Sequence, residues 1–116
     1  MGLRFATVTT SAGAVVCDSC LLAESAWLRT KGLLGRRELP EGEGILLRPA
    51  SSIHMAFMRF PIDAVFLARD LTVVRVVSDL KPWRLASKFR AASVLELPAG
   101  TCERRGVREG DRLAIG

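Results

Sequence analysis

The stretch "DAVFLARDLTVVRVV" (Asp63–Val77) sets two β-branched, apolar runs, "DAVFLA" and "TVVRVV", on either side of "RDL". That spacing predicts a β-hairpin. Working outward, "LRFATVT" and "GAVVCDS" flank the turn signal "TSAG" and predict an N-terminal hairpin within residues 1–20. "ILLR" reads as a brief buried strand ended by Pro49, "SVLELP" as a strand and "GDRLAIG" as a turn with a final strand. Between Ala23 and Leu34 the apolar positions Ala26, Trp27, Leu28, Leu33 and Leu34 fit a short amphipathic helix stopped by Gly35. "AGTCERRG" predicts a helical turn closed by Gly106, and "LKPWRLASKFR" a long, basic, irregular connection. No strand run leads into a long crossover helix. The expectation is a mainly β chain, at the margin of α+β: a compact β-sandwich or partly closed barrel of about seven or eight short strands with one or two short helices.

The chain has 116 residues, 49% of them hydrophobic and 25% charged, which suits one globular domain spanning 1–116 with its own core. No apolar run reaches the roughly 18–20 residues a bilayer-spanning helix needs. The N-terminus lacks a charged segment leading into a long apolar one, so no export signal is expected. Three cysteines, an odd number, argue against a disulfide framework. Together these predict a cytoplasmic protein. The net charge of +5 is concentrated: Arg75, Lys81, Arg84, Lys88 and Arg90 share their window with one acid, Asp79. Such a patch attracts phosphates, nucleic acid or an acidic protein surface, although a solvated basic loop is the commoner meaning.

The segment "SSIHMAFMRFPIDAVFL" (Ser51–Leu67) buries the single histidine among apolar residues. Read as a strand from Ile53 to Phe60, one face carries Ile53, Met55, Phe57 and Arg59, and the other His54, Ala56, Met58 and Phe60. Pro61 then bends the chain into Asp63. Buried ionisable groups are costly unless paired. The structural reading therefore has Arg59 and Asp63 as an ion pair, or Asp63 accepting backbone N–H bonds at the turn. The functional reading has His54, Arg59 and Asp63 converging on one mouth of the sheet to hold an anionic or polar ligand, with Arg84 and Glu96 as further ligand-binding candidates.

Cys17 and Cys20 form a C-x-x-C pair, and with His54 and Cys102 they give a weak metal-ligand set lacking the second close pair of a zinc site. No metal or other cofactor is expected, and small half-buried thiols are the default. "KPWRLASKFR" interleaves Trp83 and Phe89 with cations, a composition used for stacking single-stranded nucleic acid. Trp83 packed over the core edge is the simpler expectation, and nucleic acid is not the expected partner.

"RTKGLLGRRELPEGEGILLRP", "SSIHMAFMRFPIDAVFL", "LKPWR", "VLELPAG" and "GDRL", in this order and from about Trp27 to Leu113, resemble the DUF192 family of small bacterial and archaeal proteins. The resemblance implies a compact, sandwich-like β-rich domain with small helices and brings no assigned function. Its recurrent positions fall here on Gly32, Leu33, Gly35, Arg36, Gly44, His54, Met58, Arg59, Pro61, Asp63, Glu96, Gly100, Gly110 and Asp111. The chain departs from the pattern at Met55, where threonine is common, and in the "ARDLT" turn, which lacks the usual glycine. Its C-x-x-C pair lies outside the resemblance.

Three functions follow as expectations. The first is a non-enzymatic binding or accessory module with its polar site at His54, Arg59 and Asp63 and a basic rim, facing an anionic small molecule or an acidic protein surface. The second is a small hydrolase or transferase with His54 as general base oriented by Asp63. The third is nucleic-acid binding through residues 75–90.

Overall fold

The computed structural model describes residues 2–116; Met1, at the start of the expected N-terminal hairpin, lies outside them. In chain order the elements are β1 (Phe5–Thr10), β2 (Val15–Ala23), α1 (Ala26–Lys31), β3 (Glu43–Leu47), β4 (Ser52–His54) and β5 (Ile62–Leu67). They continue with β6 (Val73–Leu80), β7 (Leu85–Ser87), β8 (Ser93–Pro98), α2 (Thr101–Arg105) and β9 (Leu113–Ile115). Seven strands form one sheet in the order β6-β5-β8-β3-β2-β1-β9, and β4 pairs with β7 in a separate ribbon. The sheet curls until its two edges meet at the bridge between Thr72 and Arg112. This is the partly closed barrel of the two expected architectures, mainly β with two short helices.

Both expected hairpins form. β1 and β2 pair antiparallel around Gly13, which takes φ 88°, and β5 pairs antiparallel with β6. The helix is shorter than its apolar spacing suggests. Ala23 belongs to β2, and the Ser25 hydroxyl accepts the Leu28 N–H at 3.1 Å to cap α1. Gly32 ends it at φ 49°, before Gly35 is reached. α2 closes on Gly106 as expected, with φ 71°.

One strand pairing adds to the expectations, and two expectations fail for physical reasons. β3 runs parallel to β2, from Ser19 against Glu43 to Ala23 against Leu47. A parallel pair needs a crossover, and the segment carrying α1 supplies it in one and a half turns. The strand expected over 53–60 stops at His54: Met58 N–H returns to the Met55 carbonyl in a turn, and Phe57 takes φ 63°. Within the supposedly irregular basic connection, Leu85–Ser87 forms β7, because Ile53 and Ala86 face each other and bury together on the sheet.

The central strands are buried on both faces, so the sheet separates two apolar layers. Inside the curl, Val8, Leu22, Val65, Leu67, Leu95 and Leu113 pack together. On the outer face, Ile45, Ile62, Phe66 and Val94 are covered by Leu33, Met55 and Met58 among others. Alternation assigns every residue of β5 and β8 to one layer or the other. Gly44, on β3, has no room for a side chain. A Cβ there would stand 2.9 Å from the Glu96 carbonyl oxygen and 3.0 Å from Cys17 Sγ. Gly44→Ala is therefore expected to destabilise the fold by about 1–3 kcal/mol. Urea denaturation checks this, and an unchanged midpoint would show that the β3–β8 contact is looser than described.

Candidate functional site

β8 places Glu96 on the outer layer, between the Cα positions of Ile45 and Ala64 on its neighbours. The carboxyl is 5% exposed and has no hydrogen-bond or ion-pair partner among the described residues. Burial alone raises its pKa from 4.5 to about 7. The carboxyl lies at a cleft of about 100 Å³ lined by Arg29, Lys31, Gly32, His54 and Met58, among others. Gly32 passes directly over it: a Cβ there would come within 3.9 Å of Glu96 Oε1.

The positions of these groups follow from the local folding. The cap at Ser25 and the stop at Gly32 orient α1 so that Arg29 and Lys31 reach the cleft. Arg29 Nη1 donates to the Pro49 carbonyl at 3.0 Å, while its buried Nε–H has no acceptor among the described residues. His54 ends β4 and is exposed on the cleft rim. One buried carboxyl, one unused guanidinium N–H, an ammonium and an imidazole thus share a concave site. A desolvated acid lining a cleft beside basic groups is a candidate for functional chemistry.

Asp63 has a different place and task. It is fully buried on the inner layer, alternating with Val65 and Leu67 and therefore on the opposite face of the sheet from Glu96 and the His54 cleft. Its Oδ2 accepts the Cys102 N–H at 2.9 Å and its Oδ1 the Asp79 N–H at 3.0 Å. Cys102 lies in the first turn of α2, whose N-cap Gly100 offers no side chain. Asp63 is thus the missing cap, supplied from across the core. Of the two structural options, backbone N–H acceptance holds and the ion pair with Arg59 does not form. Arg59 is exposed and forms no ion pair among the described residues. The sheet also separates Asp63 from His54, which removes the base–orienter pair that the hydrolase reading required. Arg84 is exposed, and its backbone carbonyl accepts the Met55 N–H, but it does not line the cleft.

The cysteines belong to the inner layer. Cys17, Cys20 and Cys102 are free and buried, and no His/Cys/Asp/Glu group able to hold a metal occurs among the described residues. His54 stands on the other side of the sheet from all three. A hydrogen bond from Cys20 lowers the Cys17 pKa and raises that of Cys20, while burial and Asp63 push Cys102 up to about 12. Trp83 does not pack over the core edge. It is 65% exposed and meets Phe57 edge-on at 4.8 Å, with Leu85 and Phe89 also exposed nearby in sequence. Both Phe57 and Trp83 hold positive φ, an uncommon state for bulky residues.

Arg29 and Lys31 were not among the sequence candidates. They look like ordinary surface cations of a helix, and only the parallel crossover brings them over β8. Glu96 did leave a trace, as an acid between two leucines in a strand buried on both faces.

The structure is thus a partly closed β-barrel with a cleft over Glu96 on its outer layer. The chain belongs to DUF192, a family described as Uncharacterized ACR, whose pattern matches residues 7–115. A UPF0127 protein of Pyrococcus furiosus is 42% identical over 64 residues, and the match covers 54% of each chain, so this protein spans about half the length of that relative. A crystal structure from Sinorhizobium meliloti 1021, described as a candidate transcription regulator, superposes with a TM-score of 0.86 at 28% identity. It covers 99% of this chain and 96% of its own. A protein of unknown function from Novosphingobium aromaticivorans gives 0.81 at 26% identity, covering 97% and 84%. No helix among the described residues is long and apolar enough to cross a membrane.

The two acids should respond oppositely to substitution. Asp63→Ala leaves two buried N–H groups without an acceptor and is expected to cost about 3 kcal/mol. Glu96 has a folded pKa raised from 4.5 to about 7, so its protonated form favours folding. That contribution is fully present below about 4.5 and is lost as pH rises through about 7, amounting to about 3 kcal/mol. Glu96→Gln should flatten that decline and raise stability at neutral pH. Denaturation curves across the range check both; an unchanged pH dependence in Glu96→Gln would contradict the buried, unpartnered carboxyl.

Proposed function

We propose that this protein is a non-enzymatic binding module that takes the carboxylate, or a similar small anionic group, of a ligand into the Glu96–His54 cleft. The observation that carries the reading is the largely buried Glu96, whose carboxyl has no partner among the described residues at a cleft lined by Arg29, Lys31 and His54. With its pKa near neutrality, Glu96 is available in protonated form to donate an O–H to a ligand oxygen. Arg29 Nε offers a second donor, and Lys31 and His54 add charge or hydrogen bonding at the rim. Of the expected polar site, His54 and Glu96 remain, and Arg59, Asp63 and Arg84 leave it. The domain is read as one unit, and a cytoplasmic setting accords with three buried free thiols.

Propionate is a suitable probe of the cleft. Because an ionised Glu96 repels an anion, affinity should be greatest below pH about 7 and fall about tenfold per pH unit above it. Glu96→Gln, which keeps a donor and removes the titration, should bind with little pH dependence. NMR titration of the Leu33 and Met58 methyl groups measures both. Wild-type affinity that is constant or rises with pH would overturn the anion reading.

A second reading has one observation in its favour: Trp83 and Phe89 are 65% and 85% exposed, close in sequence to Lys81, Arg84, Lys88 and Arg90. The description of the Sinorhizobium relative as a candidate transcription regulator points the same way. Trp83 fluorescence in a Trp27→Phe background, titrated with oligo-thymidylate, tests it. Quenching that weakens steeply with salt supports nucleic-acid contact, and absence of salt-sensitive quenching excludes it.

A further inference from the structure

The ribbon of β4 and β7 has one side that its register leaves open. Two backbone bonds bracket the ribbon, Lys88 N–H to the Ser51 carbonyl at 2.9 Å and Met55 N–H to the Arg84 carbonyl at 2.7 Å. Antiparallel pairs alternate between bonded and non-bonded. Ser51–Lys88 and Met55–Arg84 are bonded pairs, so Ile53–Ala86 is bonded too, and Ser52 and His54 turn their N–H and C=O groups outward. On the β7 side, the corresponding outward carbonyl, that of Ser87, is taken by Arg75. On the β4 side, the outward N–H and C=O groups of Ser52 and His54 have no partner among the described residues. Both residues are exposed, and both line the Glu96 cleft.

Unpaired strand edges are templates for another strand, and proteins usually cover or charge them. This edge pairs with no strand among the described residues, faces α1 across the cleft, and carries no proline between Ser52 and His54. It leads instead into a concave site with an unpartnered buried acid. We infer that the free edge of β4 receives the C-terminal end of an extended peptide, whose main chain pairs with Ser52 and His54 and whose terminal carboxylate enters the Glu96 cleft. The inference rests on the anion reading of that cleft and specifies the ligand class. Main-chain pairing supplies affinity that is tolerant of sequence, and the captured terminus sets register. A chain end is favoured over a chain passing through because the cleft measures only about 100 Å³, with Gly32 close over the Glu96 carboxyl that lines it. A carboxylate is favoured over an amine because Arg29 and Lys31 line the cleft.

The test uses three probes on the full chain: propionate, the N-acetylated pentapeptide Val-Thr-Val-Thr-Val with a free carboxylate, and the same peptide as its C-terminal amide. The free-acid peptide is expected to slow exchange of the Ser52 and His54 amide hydrogens at least tenfold and to shift the Glu96 carboxyl carbon. The amide should bind at least tenfold more weakly. Ser52→Pro, which removes one outward donor, should lose the free-acid peptide. Propionate binding without peptide protection of these amides would overturn the edge inference and leave the cleft reading standing. Failure of both probes would overturn both. Equal affinity for acid and amide would contradict terminal capture, and protection arising from self-association without peptide would show that a second copy occupies the edge.

Discussion

β8 is buried on both faces, and everything else about the site depends on that constraint. A strand in this position must turn alternate side chains into two separate apolar layers, so an acid in it meets solvent only through the cleft it lines. Glu96 occupies such a position on the outer layer. Among the described residues its carboxyl is neither capped by backbone N–H groups nor paired with a cation, and desolvation therefore governs its protonation. A fold tolerates such a group at a cost of about 3 kcal/mol at neutral pH. That cost is a reason to look for a ligand there, since stability alone would favour glutamine or leucine at the same place.

Asp63 shows how the same sheet treats an acid that serves the fold. One strand away and on the other face, its two oxygens accept N–H groups from α2 and from the end of β6. It ties three elements together and gives a glycine-capped helix the acceptor it lacks. Both acids are buried, Asp63 fully and Glu96 at the edge of a cleft, yet one has both oxygens used by the protein and the other has no partner among the described residues. Burial by itself does not mark a site; the distinction lies in the partner atoms.

Much of the fold was legible in local sequence, because the hairpins at Gly13 and after Leu67 and the helical turn ending at Gly106 depend on residues close together in the chain. The parallel β2–β3 pair was not: the short helix between them left an apolar pattern, but nothing in its sequence marks it as a crossover between parallel strands. β7 was hidden for a related reason: three residues in a basic segment become a strand only because Ile53 and Ala86 meet over the sheet. The site was half legible. His54 and Glu96 stood out as polar residues among apolar ones, and they do share a cleft. Arg59 and Asp63 stood out equally, but proximity in sequence misled: the bend at Pro61 leaves Arg59 in solvent and sends Asp63 to the inner layer. Arg29 and Lys31 had no distinguishing pattern because their role comes from tertiary placement alone.

The central claim is that Glu96 lies buried without a partner in a cleft, poised to change protonation near neutral pH. Carbon-13 NMR of the side-chain carboxyl groups, with Glu96 assigned by its loss in Glu96→Gln, tests this directly. A midpoint for Glu96 near 7 is the result the account predicts. A midpoint near the ordinary value of 4.5 would mean that water or a hidden partner reaches the carboxyl, and would contradict the account.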